Sequence, residues 1–470
     1  MPIPPIVPYR FNFSRAGRKV LLSNEFGGWS LASPAGFEKL VSGKLRGGPF
    51  ARELSEKGFA ANRMDLDGLA AGLSDKLLAG WRGPHVHIVE VTRRCNSACL
   101  YCGASAAGRR AAGLDMTPAT ARKTLDFVFS LETPSVMLEF QGGEPLLNFG
   151  MVRFLVEEAL RRAEAAGKKV HFSIVTNLTL MDREKFDYLV SRRVTVCTSL
   201  DGPAALHDRA RRKAGGSAHA AAARWLKEFA ALAGRDPAAE MPNAICTVSA
   251  FSLPHARRIV DEFVRLGLLR VQLGPLERLG RARAAWNSLG CGPAEFLAFY
   301  AAALERILEL NRRGVPVYEK GALMYIKQIL TGRRPRYQNL DLGVRLGYAF
   351  DGSVYGSDEG RLLAAAGDGF FRLGDVRRDT FRGILKKPLA RAFLLSAFPE
   401  LCQPACARCV YSPWCRVMPA YNYSVQGGFW GNMASSPRCA VHKGIFDIIF
   451  AKLQDPETRE IFERWSDTYA

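Results

Sequence analysis

No apolar run in the 470-residue chain reaches the roughly 18 residues that a membrane helix needs, so no membrane span is expected. The start is broken by Pro2, Pro4, Pro5 and Pro8 and lacks the basic-then-apolar layout of a signal peptide. There is no internal repeat and no low-complexity tract. The sequence also lacks a long basic tail. Its excess of 65 basic over 45 acidic residues, a net charge of +20, is scattered through short runs such as Arg109-Arg110, Arg192-Arg193, Arg209 to Lys213 and Arg333-Arg334. Such a charge suits nucleic acid, an anionic cofactor or an acidic peptide, but the scatter reads as a solvated surface. Eleven cysteines in closely spaced groups, without a secretion signal, point to metal rather than disulfides, and hence to the cytoplasm. The 48% apolar and 23% charged content is that of a folded soluble protein of two or three domains.

The most informative cysteines are Cys95, Cys99 and Cys102, spaced Cys-x3-Cys-x2-Cys with Tyr101 just before the last thiol. Three thiolates on one compact loop hold three corners of a cubane iron–sulfur cluster. The fourth iron is left open for a substrate or cofactor. A zinc site is the rival reading, but zinc wants a fourth ligand and no Cys or His follows closely enough to supply it. Upstream, His85 and His87 alternate on a strand and face away from the loop. With eleven cysteines in the chain, a chance match to the triplet is well under about 1%.

Residues 1–80 read as a small separate α+β unit, with strands at Lys19–Asn24 and Gly28–Ala32 and helices after Ser33 and at Pro49–Lys57. This layout resembles the winged-helix modules that grip a peptide by strand addition. Over 81–285, six strands (His85–Val91, Val136–Gln141, Val170–Thr176, Val194–Leu200, Ala244–Val248, Leu269–Leu273) alternate with helices. That order predicts a parallel sheet covered by helices, with too few units for a full eight-strand barrel. Residues 286–395 hold bridging helices and a hairpin turning at Asp351-Gly352. A cysteine-rich segment and a final helix fill 396–470.

The cysteine triplet resembles the signature of the radical S-adenosylmethionine (SAM) enzymes. That resemblance implies a partial (β/α)6 barrel and a [4Fe-4S] cluster whose open iron chelates SAM. It also implies reductive cleavage to a 5′-deoxyadenosyl radical, fed by an electron donor such as flavodoxin or ferredoxin. The second strand ends in Gly142-Gly143-Glu144-Pro145, where glycines let backbone approach a ligand. The motif resembles the family's site for the SAM amino group. Thr176-Asn177 resemble a ribose-contacting position. Ser199 and Arg211 match SAM contacts of peptide-modifying relatives, a guanidinium being well suited to a carboxylate. Gln272 is placed to meet the adenine, and Tyr101 lies among the cofactor contacts. His207 reads as structural, and no catalytic acid or base is identified beyond the cluster.

Cys406-x2-Cys409-x5-Cys415 with the later Cys439 resembles the SPASM extension of radical SAM peptide-modifying enzymes. A full extension holds two further clusters, but Ser357 and Pro419 stand where two of the family's cysteines belong. The four remaining thiols close one auxiliary [4Fe-4S] cluster, with a zinc ribbon as the alternative. Cys402 is a bystander, and Cys197, Cys246 and Cys291 read as core residues. Cys409-Val-Tyr-Ser-Pro-Trp-Cys415, the ending Arg438-Cys439-x2-His442, and Val20-Leu-Leu-Ser-Asn-Glu25 near the start resemble the radical SAM maturases of the His-Xaa-Ser system. A ribosomally made precursor peptide or small protein rich in His-Xaa-Ser is then the implied substrate, to be crosslinked, epimerised or oxidised. The alternatives are a radical SAM enzyme acting on RNA, for which no aromatic–basic module is seen, and a non-enzymatic iron–sulfur or zinc protein.

Overall fold

The computed structural model describes residues 4–71, 83–236, 239–331, 341–396 and 402–468. The boundary placed at 80/81 and the pair Arg333-Arg334 lie outside the described residues.

Near the start, β1 (Asn12–Ala16), β2 (Lys19–Ser23) and β3 (Trp29–Ala32) form an antiparallel sheet in that order. The predicted pair thus gains a leading strand. The helix Pro34–Val41 begins where Ser33 accepts the Gly36 N–H with Pro34 in the first turn. The helix Pro49–Glu56 follows. Because side chains alternate along a strand, Leu22 joins Ile6, Leu40, Leu54 and Phe59 in a small core under these helices. Its neighbour Leu21 faces the other way and joins the main core. The unit therefore has a core of its own, yet it is built onto the rest of the molecule.

The main sheet starts with β4 (Val86–Thr92). Three short strands follow: β5 (Arg94–Cys95), β6 (Ser97–Cys99) and β7 (Ala107–Gly108). Then come β8 (Ser135–Gly142), β9 (Lys169–Thr176), β10 (Val194–Ser199), the short β11 (Arg211–Lys213), β12 (Asn243–Val248) and β13 (Arg270–Pro275). β4, β8, β9, β10, β12 and β13 lie side by side in chain order, all parallel. These are the six predicted strands. On β8, Val136, Leu138 and Phe140 are buried, while Met137, Glu139 and Gln141 point to the opposite face. Helices return the chain between strands, for example Pro118–Phe129, capped by Thr117, and Phe149–Ala166, stopped at Gly167 in the left-handed region.

Beyond β13 the sheet gains β14 (Tyr318–Glu319). At the opposite edge it gains β15 (Arg345–Tyr348), β16 (Ser353–Tyr355) and β17 (Arg372–Asp375). β15 and β16 are the predicted hairpin. β15 also pairs in parallel with β4, from Arg345 opposite Val86 to Tyr348 opposite Val89, so the C-terminal region is continuous with the central sheet. Tyr348 there meets His87 Nδ1 at 2.9 Å in the core. No helix among the described residues is long and apolar enough to cross a membrane.

Candidate active site

All six parallel strands deliver their carboxyl ends to one side, where α/β folds place their sites. The loop after β4 carries Cys95 at the end of β5, Cys99 at the end of β6 and Cys102 just beyond. Pairing of β5 with β7, and of β6 with β11, braces this loop and sets Arg211 opposite Cys99. The Arg94 guanidinium grips Asp115 through hydrogen bonds of 2.8 and 2.7 Å. The Thr92 hydroxyl donates to the same carboxylate at 2.6 Å.

Gly142 and Gly143 explain themselves here. Gly143 N–H donates to the Thr92 carbonyl and Glu144 N–H to the Arg94 carbonyl, each at 2.9 Å. A Cβ at Gly142 would stand 2.1 Å from the Thr92 oxygen, and one at Gly143 2.4 Å from the Arg94 oxygen. The close approach expected toward a ligand is made to the backbone of the cysteine loop itself.

Cys95 is buried, and burial pushes its thiol up to about 12. The Ser97 N–H donates to its sulfur at 3.3 Å. Iron would have to deprotonate this thiol on binding. Three thiols on one loop fit a cluster with one open iron. Among the described residues no three Cys, His, Asp or Glu side chains converge tightly enough to grip a single ion. The fit to a cluster therefore rests on the number of thiols and the loop that carries them.

Beside the loop, Glu144 is buried with its carboxylate accepting from Thr176 Oγ1 at 2.6 Å, the Asn177 N–H at 2.8 Å and the Leu146 N–H at 3.1 Å. A carboxylate has about four lone-pair sites, so one is left for a further donor. Pro145 opens a short 3-10 turn with Glu144 as its cap. The Asn177 amide donates to Asn96 Oδ1 and Ser97 Oγ on the cysteine loop, at 3.1 and 3.2 Å. Thr176 and Asn177 thus tie the end of β9 both to Glu144 and to the loop.

Burial holds the Glu144 carboxyl up at about 7 from its model-compound value of 4.5. A raised acid favours folding while it is protonated. The contribution is whole below 4.5 and is lost as the pH climbs through about 7, roughly 3 kcal/mol in all. A bound ammonium group would offset that loss. If Glu144 takes the ammonium group of SAM, as the resemblance implies, affinity for SAM measured by equilibrium dialysis should rise between about pH 6 and about pH 7.5. Glu144→Gln should bind SAM about tenfold to a hundredfold more weakly and show no such rise.

On the other flank Asp201 is a buried hub. It accepts from the Tyr101 hydroxyl, from Arg211 Nε at 2.9 Å and from the Thr247 N–H at 3.1 Å. Its own N–H donates to His207 Nδ1 at 3.2 Å, the structural role expected of that histidine. The Arg211 guanidinium lies 5.2 Å from the Tyr101 ring centre. Tyr101 is buried with Ala210, Leu276 and Leu289. The side chain of Tyr101 is therefore committed to the protein, whereas Arg211 keeps donors beyond those spent on Asp201. Ser199 ends β10 half-buried. In the basic run Arg209 to Lys213, three side chains have partners within the protein, while Arg212 is exposed. Arg209 stacks 3.6 Å from the Phe251 ring centre, Arg211 pairs with Asp201, and Lys213 donates to the Gly215 carbonyl at 2.5 Å.

A cavity of about 700 Å³ lies between β13, the helix Pro293–Arg312 and the cysteine-rich segment. Gln272 lines it, with Trp286, Tyr325, Trp414, Arg416 and Arg438. None of Cys95, Cys99 and Cys102 does. Cys291 also lines it and, like Cys197, is only half-buried, whereas Cys246 is a core residue.

Cys406, Cys409, Cys415 and Cys439 together line a second, smaller pocket. Four thiols are the number that a closed cluster takes. Cys402 does not join them and donates to the Leu395 carbonyl at 3.5 Å. Cys415 lines both pockets. Ser357 caps the helix Asp358–Ala365, its hydroxyl accepting the Gly360 N–H at 3.1 Å. Pro419 opens the helix Pro419–Gln426. Where the family pattern has thiols, this chain has two helix starts.

One buried network joins the C-terminal region to the strands. Arg361, fully buried, reaches Glu90 on β4 at 3.0 Å and Gln141 on β8 at 2.9 Å, and also pairs with Asp358 at 2.6 Å. Gln141 in turn donates to Glu139 at 2.6 Å.

Residues 89–232 match the Radical SAM superfamily, and this stretch, which carries the three-cysteine loop, is a radical SAM domain. An uncharacterized protein of Methanocaldococcus jannaschii, MJ0907, is 30% identical over 115 residues, 24% of this chain and 38% of that protein. Among solved structures, native anSMEcpe with bound AdoMet superposes with a TM-score of 0.67 at 18% identity, over 81% of this chain and 100% of that one. Streptococcus suis SuiB bound to precursor peptide SuiA superposes with a TM-score of 0.52 at 13% identity, over 90% and 97%. These likenesses show a shared fold.

Proposed function

We propose that the chain is a cytoplasmic radical SAM enzyme that modifies a ribosomally made peptide, of the His-Xaa-Ser type. The observation that carries the reading is the three-thiol loop clamped between Glu144–Asn177 and Asp201–Arg211, inside a domain matching the Radical SAM superfamily. The bound cluster and SAM would supply a 5′-deoxyadenosyl radical for hydrogen-atom abstraction. Residues proposed to hold SAM are Glu144, through its remaining lone pair toward the ammonium group, and Arg211, through its remaining N–H donors toward the carboxylate. Thr176, Asn177, Ser199 and Gln272 complete the proposed contacts. Glu144 excludes bulk water from the ammonium site by its burial, and Asp201 keeps Arg211 in place.

Support for a peptide substrate comes from the cavity of about 700 Å³, whose mixed aromatic and charged wall suits side chains of both kinds. It comes also from the fold shared with peptide-bound structures, anSMEcpe with Cp18Cys peptide and SuiB with precursor peptide SuiA. The basic residues are scattered in short runs rather than gathered into a stripe, which argues against RNA binding. One auxiliary cluster on Cys406, Cys409, Cys415 and Cys439 is part of the proposal, as are the absence of a second and a flavodoxin or ferredoxin as electron donor. Eleven cysteines free of disulfides fit the reducing compartment. The N-terminal unit is proposed to take the unmodified part of the peptide as an added strand, since β1 and β3 each pair on one side only among the described residues.

Co-expression with short His-Xaa-Ser peptides from neighbouring genes, followed by tandem mass spectrometry, tests the reading. A mass change confined to the peptide and dependent on Cys95 is expected. Unaltered peptides alongside a modified RNA would overturn it.

A further inference from the structure

The first two strands do more than build the N-terminal unit. Asn12 on β1 and Ser23 on β2 are direct partners in the antiparallel register, so both side chains leave the same face of the sheet. That face is turned toward the cysteine-rich segment. Asn12 Nδ2 donates to the carbonyls of Ala407 and Cys409 at 3.3 and 3.2 Å. Ser23, fully buried, donates to the Val410 carbonyl at 2.6 Å. Ser14, two residues beyond Asn12 on β1, hydrogen-bonds the Tyr411 side chain. The backbone held in this way runs from Ala407 to Val410. It lies between Cys406 and Cys415 and includes Cys409, three of the four thiols lining the small pocket.

Other contacts seat the same sheet. The Trp29 indole N–H donates to the Ile329 carbonyl at 2.7 Å, and its ring meets Phe450 at 5.4 Å. Gln454 donates to the Ala16 carbonyl at 3.3 Å. The helix Pro437–Lys452 carries both Cys439 and Phe450. Ser23 pairs in turn with Trp29, so one face of the sheet contacts both the Cys409 loop and the Cys439 helix.

We infer that Asn12 and Ser23 are positioning residues for the auxiliary cluster, holding the Ala407–Val410 backbone so that Cys406, Cys409 and Cys415 face one pocket. The inference rests on the auxiliary cluster proposed above. A short loop of irregular backbone has few partners of its own, and its carbonyls need donors when buried. Here the donors come from a sheet nearly 400 residues away in sequence. The N-terminal unit is then a wall of the cluster site as well as a proposed peptide clamp. Deleting it outright would disturb both.

The test uses full-length protein in which Cys95, Cys99 and Cys102 are replaced by Ala, so that any remaining cluster is the auxiliary one. After anaerobic reconstitution this parent should hold about four irons. A parent without iron–sulfur absorbance would overturn the auxiliary-cluster reading itself, and this inference with it. In a parent that holds the cluster, Asn12→Ala with Ser23→Ala should speed iron loss to a chelator roughly tenfold, given three hydrogen bonds removed. It should also alter the electron paramagnetic resonance spectrum of the reduced cluster. Ser23→Thr, which keeps the hydroxyl, should restore the parent rate, as loss of folding would not allow. Asn12→Ala alone, at a half-buried site, should show an intermediate rate. Parent-like iron loss and spectrum in the double variant would overturn the inference while leaving the auxiliary cluster standing.

Discussion

Replacing Cys95, Cys99 and Cys102 together by Ala in the otherwise intact enzyme is expected to abolish 5′-deoxyadenosine formation from SAM under anaerobic reduction. The loss should be complete rather than partial. With all three thiols gone the loop has no ligand for iron, and no other Cys or His on it substitutes. Folding should survive, because the loop is fastened by Arg94–Asp115, by Asn177 and by the Gly143 and Glu144 amides. None of these contacts involves a thiol. Iron should fall from about eight to about four per chain, the remainder belonging to Cys406, Cys409, Cys415 and Cys439. Residual iron near zero would remove the auxiliary cluster from the account. About eight irons after the triple replacement would remove the three-cysteine assignment.

The second large effect is on stability. Arg361→Met should destabilise the protein by about 3 kcal/mol, the lower end of the cost of removing one partner from a buried ion pair, because Arg93 still faces Glu90. Arg361 and Glu90 are both fully excluded from solvent and stand 3.0 Å apart. Removing the guanidinium leaves Glu90 with the Phe350 N–H at 3.3 Å and Arg93 at 3.2 Å. Gln141 loses a donor as well. Chemical denaturation of the variant measures the effect. Glu90→Gln combined with Arg361→Met should cost less than the sum of the two single changes, since the coupled charges leave together. A cost below about 1 kcal/mol for Arg361→Met would mean that this network does not bind the C-terminal region to the sheet.

What the sequence made legible was local. Each of the six parallel strands is a short apolar run, and the helices between them begin at side-chain caps, Thr117, Asp182 and Ser217 among them. The cysteine loop is a spacing within eight residues, and Gly142–Glu144 follows the next long strand. Nothing local announced the partners of these groups. Arg361 meets Glu90 across 271 positions and Ser23 meets Val410 across 387. No periodicity records such pairings. Asp201 was visible in Ser199-Leu-Asp-Gly-Pro203, but its function depends on Tyr101, Arg211 and Thr247 arriving from three other segments. The glycine pair was recognised, yet its reason differed, because the backbone it admits is that of Thr92 and Arg94. Likewise the first 80 residues read as separate because the docking face of β2 alternates with the face toward their own helices. Leu21 and Leu22 look alike in sequence and belong to different cores.

On the proposed function, a hydrogen atom leaves a peptide side chain at this site. A co-purified or synthetic His-Xaa-Ser peptide carrying deuterium on its side-chain carbons, incubated anaerobically with reduced enzyme and SAM, measures it directly. The account predicts 5′-deoxyadenosine containing one deuterium per abstraction, formed together with a mass change in the peptide. Deuterium-free 5′-deoxyadenosine beside a modified peptide, with the labelled carbons intact, would contradict it.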